Sequence, residues 1–125
     1  MDFTGKVILK EEWKFSGQAN FYALLKTMIW NHRPVAIVHG TPVRYAAVIA
    51  SQSKMIGVID LAAEEAGIYT VPCVDNTCKK AVLGNGAAKK PEIMAHYNEE
   101  SEHIADCLLF GEYFLSFQDH SKKAP

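Results

Sequence analysis

The chain reads as an α/β domain, and three features carry that reading. Segments with helical apolar spacing alternate with short apolar runs, glycine and proline mark the boundaries, and 125 residues at 49% apolar composition suffice to fill one core. Strand and helix in alternation imply a three-layer arrangement, a sheet with helices on both faces. Residues 1–117 read as a single domain, and the polar, lysine-bearing residues 118–125 as a frayed, flexible tail.

Residues 5–15 open with a glycine and are rich in β-branched and aromatic side chains, so they are expected to form an early antiparallel strand. Ser16 is placed to cap a helix, in which Phe21, Leu24, Leu25, Met28 and Ile29 recur at helical spacing through residue 31. Pro34 stops it. Val35-Ala36-Ile37-Val38 is a continuous apolar run, the pattern of a parallel strand buried on both faces, and its end at His39-Gly40-Thr41-Pro42 is where an α/β site would lie. Thr41 as N-cap and Pro42 at the first helical position start a helix over 43–66, which Gly67 ends. At about 35 Å it is expected to be the longest element. Its apolar set, Val43, Ala47, Ala50, Ile56, Ile59, Leu61 and Ala62, leaves two flanks, one for the sheet and one for a second copy of the chain. Residues 68–72 read as the next parallel strand, closed by Pro72, and helices follow over 77–83, 87–97 and 99–117.

Charge and cysteine content narrow the function classes. A net charge of −1 removes any global basic field, so nucleic-acid binding has to come from a local patch. The apolar runs are too short to span a bilayer, and Met1-Asp2-Phe3 does not open a signal peptide, which gives the expectation of a soluble, cytoplasmic protein with no membrane partner. Cys73, Cys78 and Cys107 are odd in number and lack zinc-ligand spacing. They are read as reduced thiols, with a Cys73–Cys78 disulfide as the alternative.

Residues 77–106 hold the parts of a phosphodiester site. Lys79 and Lys80 lie on a short helix, Gly84-Asn85-Gly86 forms a turn able to bring backbone N–H groups against a phosphate, Lys89 and Lys90 follow, and a helix then carries His103 and Asp106 one turn apart. Each has a plainer reading. The lysines serve equally as a solvated face, the glycines as a tight turn and C-cap, His103 and Asp106 as caps or ion-pair members, and His39 as a hydrogen-bonding group at a strand end.

Taken in order, the lysine, the Gly-x-Gly turn, the second lysine and the His-x-x-Asp helix, after an intervening strand–helix–strand, resemble the C-terminal half of RuvC-type Holliday junction resolvases and their phage relatives. Lys79, Gly84, Gly86, Lys90, His103 and Asp106 fall at the matching positions. The resemblance covers residues 35–117, and more loosely those from residue 5. It implies a ribonuclease H-like fold whose mixed sheet opens with three antiparallel strands and continues with two parallel ones. It further implies a homodimer, a four-way DNA junction as partner in DNA recombination, and endonuclease activity with Mg²⁺ or Mn²⁺. Phosphate contacts would come from Lys79, Lys80, Gly84, Asn85, Gly86, Lys89 and Lys90, metal ligation from Asp106 and His103, and catalytic roles from Asp106, His103 and His39.

Two departures bear on activity. The family's first strand carries an aspartate, whereas residues 5–15 correspond to its third strand, so the fold is expected to be N-terminally shortened; that role is not carried onto Asp2. The family's fourth-strand glutamate is matched by His39. His103 in place of an aspartate is a substitution found within the family. Phosphodiester cleavage by this route needs two divalent ions about 4 Å apart. Mg²⁺ wants hard carboxylate oxygens, while one carboxylate with two imidazoles suits a single Mn²⁺ or later metal. The expectation is a RuvC-like protein that binds branched DNA with impaired cleavage. An active, structure-selective endonuclease is the alternative, and a structural or interaction module that has lost DNA binding is the third reading.

Overall fold

Periodicity places the first helix. The computed structural model describes residues 1–2, 4–41 and 46–123, with the backbone alone at 46–48 and 117–123. Its elements are α1 (Gly17–His32), β1 (Ala36–Gly40), α2 (Ala46–Ala66), β2 (Tyr69–Cys73), α3 (Asp75–Leu83), α4 (Lys90–His96) and α5 (Glu102–Lys123). They fall into two compact units, one of Trp13–Pro72 and one of Met1–Glu12 with Cys73–Pro125.

In the unit Trp13–Pro72, Ser16 sits at the N-cap of α1, but its hydroxyl makes no capping bond. Instead the Ser16 N–H donates to Asn20 Oδ1 at 2.9 Å, so the helix holds the entering chain. At the other end Arg33 takes a left-handed conformation, φ 47°, and its N–H donates to the Ile29 carbonyl at 2.8 Å. That conformation is costly for a long side chain. The Arg33 guanidinium lies 4.2 Å from the centre of the Trp30 ring, and Nε donates to the Trp30 carbonyl, which compensates in part.

Helix α1 packs on α2. Leu25 from α1 and Ala62 and Ala63 from α2 form the buried core of this unit, the small alanines letting the two backbones approach. Glu65 ties the pair at the rim, accepting from the Tyr22 hydroxyl and pairing with Lys26 at 3.6 Å. As expected, α2 ends at Gly67: the Gly67 N–H donates to the Glu64 carbonyl and the Ile68 N–H to that of Ala63, the two bonds of a Schellman cap. Of the expected helix start, Thr41 is described but Pro42 and residues 43–45 lie outside the described residues, so the cap itself is not among them.

Strands β1 and β2 pair in parallel as a two-stranded sheet. Pro72 was expected to close the second strand, yet it lies inside β2. A strand in a two-stranded sheet has a free edge, where a residue lacking an N–H costs no ladder bond.

The largest correction concerns residues 5–15, which form no strand. The antiparallel strands implied by the resemblance are likewise not formed among the described residues, whose sheet is β1 and β2 alone. Local bonds explain the start of the segment. Asp2 Oδ1 accepts from the Thr4 N–H at 2.9 Å, the Thr4 hydroxyl at 2.6 Å and the Lys6 N–H at 3.0 Å, winding the chain into a turn. Those donors, the Thr4 hydroxyl foremost, hold the Asp2 carboxyl below its ordinary range. Further along, Lys10 pairs with Glu99 at 2.8 Å, and Glu12 accepts from the Ser101 hydroxyl. Ile8 is 67% exposed. Strand propensity expresses packing against cross-strand neighbours, and this segment has none.

In the unit of Met1–Glu12 with Cys73–Pro125, α3 and α4 each pack on α5. Cys73, Cys78, Ala88, Ile93, Ala105, Leu108 and Leu109 form the core. All three cysteines are free, Cys107 on the surface. Burial, together with the neighbouring Cys73 sulfur, pushes the Cys78 thiol up to about 12, so it stays protonated. Helix α5 continues through Lys123 because no glycine or proline interrupts it after Gly111, so helix covers residues 118–123 of the expected tail; 124–125 lie outside the described residues. It has 22 residues beside the 21 described for α2, whose expected start at residue 43 lies outside the described residues. Among the described residues no helix is long and apolar enough to cross a membrane.

Leu109 is fully buried at the centre of this packing, whereas Leu61 is 51% exposed. Leu109→Ala is expected to lower the unfolding free energy by about 3 kcal/mol, and Leu61→Ala by less than about 0.5 kcal/mol. Urea unfolding curves that show equal losses would contradict this assignment of the core.

Candidate functional site

Local capping chemistry positions each member of the site. Helix α3 starts at Asp75, two residues before the expected Thr77, and the carboxylate in its first turn complements the positive end of the helix dipole. One turn on, the Lys79 ammonium reaches back to Asp75 Oδ2 at 2.6 Å, with only 14% of its side chain exposed. Lys79 is therefore held inward, while Lys80 stays on the surface.

The glycine turn is used largely for capping and packing. Gly84 has φ 77°, a conformation that suits glycine, and its N–H donates to the Lys80 carbonyl at 3.0 Å. That amide is committed to the helix end. Asn85 Oδ1 accepts from the Ala87 N–H at 3.0 Å, and the Asn85 carbonyl from the Ala88 N–H at 3.2 Å. Gly86 folds back on α3 so closely that a Cβ there would lie 3.2 Å from the Asn76 carbonyl oxygen. Beside it runs an open groove of about 680 Å³, lined by Asn76, Thr77, Lys80, Ala81, Gly86 and Ala87.

Lys89 is the N-cap of α4 and Lys90 its first residue, with Pro91 fixing the first turn; the helix was expected to begin at Ala87. Helix α5 was expected to begin at residue 99. Ser101 instead caps it, its hydroxyl oxygen accepting from the Ile104 N–H at 3.2 Å, and the helix begins at Glu102. Glu102, His103 and Asp106 thus share its first turns.

These elements bring five charged side chains together. Lys90 Nζ lies 3.7 Å from Asp106 Oδ2 and 3.8 Å from Glu102 Oε1, and His103 Nε2 lies 3.9 Å from the same Glu102 oxygen. Partial burial raises the Asp106 carboxyl above its ordinary range; Lys90 and Lys79 oppose that rise, and Asp75 adds to it. His103 stands largely in solvent, 75% exposed. The cluster belongs wholly to one unit. His39 belongs to the other, half-buried, with Nδ1 3.0 Å from the Gly40 carbonyl oxygen.

Two members carry weight that the motif did not assign. Asp75 was legible only through its i, i+4 spacing to Lys79, and Glu102 lies one residue before the His-x-x-Asp pair. Three carboxylates, Asp75, Glu102 and Asp106, face two ammoniums, Lys79 and Lys90, leaving one negative charge in excess. Among the described residues no three His, Cys, Asp or Glu side chains are placed to hold a metal ion. Two hard divalent cations do not fit a donor set left with a single negative charge in excess.

No protein-family model matches the chain, and no curated protein matches it in sequence. Solved structures do match. Thermus thermophilus RuvC aligns with a TM-score of 0.61 at 21% identity, over 74% of this chain and 62% of that one. T. thermophilus RuvC in complex with Holliday junction substrate aligns at 0.58 and 19% identity, over 74% and 61%. The chain spans less than two thirds of the length of either. The fold is RuvC-like, with a small sheet among its helices.

The tight turn supplies a test of this geometry. A methyl group at Gly86 would press on backbone rather than on a flexible side chain, so Gly86→Ala is expected to cost about 1–2 kcal/mol of unfolding free energy. Unchanged stability would show that the turn does not sit against α3 as described.

Proposed function

We propose that this chain binds branched DNA through phosphate contacts and cleaves it weakly or not at all. The observation that carries the reading is the match in fold to RuvC in complex with Holliday junction substrate. Exposed Lys80, Lys89 and Lys90 beside the glycine turn support it, with Asn85 at the same surface. Ammonium groups there neutralise phosphates and release condensed counterions, which yields affinity without sequence readout. Lys90 is able to exchange partners, since its side chain is 55% exposed and surface ion pairs are worth at most about 1 kcal/mol. Lys79, shielded against Asp75, has a structural role.

Weak cleavage follows from charge. Mg²⁺ or Mn²⁺ would be the cofactor of any cutting, and Asp106, His103 and His39 its family-matched residues, but Asp106 is already paired with Lys90. A three-layer arrangement and a homodimer belong to the same proposal, with the exposed Ile49 and Leu61 of α2 available to a second copy. The lysine pairing also favours, as a second reading, an interaction module without DNA binding.

A four-way junction titrated at several salt concentrations separates these readings. Lys80→Ala with Lys89→Ala is expected to flatten the slope of log K against log salt by about 2, Lys79→Ala to leave it unchanged, and the junction to stay intact when Mg²⁺ is added. An unaltered slope in the double variant would mark the lysines as a solvated face. Absence of any shift would favour the interaction module, and rapid Mg²⁺-driven cutting lost in Asp106→Asn would establish a working endonuclease.

A further inference from the structure

A groove within the unit Trp13–Pro72 shares no residue with the charged cluster. It has a volume of about 450 Å³ and opens where the chain enters β1 and β2, at the end of the sheet opposite His39. Ile29, Pro34, Ala62 and Ile68 make it apolar within, and Lys26, Trp30, Arg33 and Glu65 stand at its exposed rim. We infer that this groove is a docking site for a partner protein, taking an apolar side chain into its interior and an adjacent carboxylate onto Arg33.

Composition and charge select that partner. Trp30 is 70% exposed, and beside the groove Val35 and Tyr69, joined by the bond from the Tyr69 N–H to the Val35 carbonyl, are 52% and 77% exposed. Tryptophan, tyrosine and arginine are the side chains on which protein–protein affinity concentrates. Arg33 is also ordered in advance. Its guanidinium lies 4.2 Å from the centre of the Trp30 ring and its Nε donates to the Trp30 carbonyl, so little freedom is lost when an anion binds. The rim charges are unequally satisfied. Glu65 accepts from the Tyr22 hydroxyl and pairs with Lys26, whereas no carboxylate among the described residues pairs with Arg33. One unanswered positive charge beside an apolar interior calls for one negative charge beside an apolar group. Nucleic acid fits less well: the aliphatic side chains give a base nothing to stack on, one face of Trp30 is taken by Arg33, and Glu65 repels successive phosphates.

The probe is N-acetyl-leucine, which joins an isobutyl group to a carboxylate, titrated into ¹⁵N-labelled protein while the indole N–H resonances of Trp30 and Trp13 are followed. The Trp30 resonance is expected to shift and saturate in the millimolar range, as suits so small a ligand, while Trp13, which does not line the groove, stays in place. N-acetyl-leucinamide, which lacks the charge, should bind about tenfold more weakly. Arg33→Gln should remove that difference, and Arg33→Lys, which restores a positive charge, should bring most of it back. The Arg33 side chain is exposed and the helix end is held by its backbone N–H, so both variants are expected to keep the fold. Equal affinity for acid and amide, a difference that survives Arg33→Gln, or no Trp30 shift with either compound would overturn the inference. So would a Trp30 shift on concentrating the protein without probe, the mark of a second copy in the groove, or one produced by oligothymidylate, the mark of a nucleic-acid site.

Discussion

Burial of one face of α5 is the constraint on which the site depends. Ala105, Leu108 and Leu109 are withdrawn from solvent, and α3 and α4 pack against that helix. Each packed helix contributes an anchor, Cys78 from α3 and Ile93 from α4. The charged residues follow from the anchors. Lys79 adjoins Cys78 at the rim, Lys90 lies three residues before Ile93 and so leans toward α5, and Asp106 follows the buried Ala105. Apolar packing therefore decides which charges meet. Lys79, Lys90 and Asp106 come together because their neighbours are in the core.

Charge compensation then divides the lysines by role. A half-buried carboxylate without a partner is unfavourable, and the raised Asp106 carboxyl records that cost even with lysines nearby. Lys79 is held inward against Asp75, Lys80 and Lys89 are left to solvent, and Lys90 stands between these conditions, paired yet with 55% of its side chain exposed. A surface with one excess negative charge in the cluster and exposed ammoniums around it is suited to contacting phosphate at its margin.

Local signals were legible in the chain. The apolar spacing of Phe21, Leu24, Leu25, Met28 and Ile29 marked α1, Gly67 marked the end of α2, and Gly84 that of α3, because caps and periods are written within a few residues. Tertiary relations were harder to read. Residues 5–15 carry strand-forming side chains but lack a neighbouring strand, and the Asp2 turn holds their start instead. Pro72 reads as a terminator and proves tolerable within an edge strand. The order of lysine, glycine and His-x-x-Asp conveyed the RuvC-like fold, yet it gave no hint that Lys90 rests on Asp106 and Glu102, since that contact joins helices fixed by the core.

The central claim, recognition of branched DNA without metal, is tested most directly by fluorescence anisotropy in EDTA with a labelled four-way junction and unlabelled linear duplex of the same sequence as competitor. The account predicts saturable junction binding that excess duplex displaces poorly. Equal displacement by junction and duplex, or junction binding that appears only when a divalent cation is restored, would contradict it.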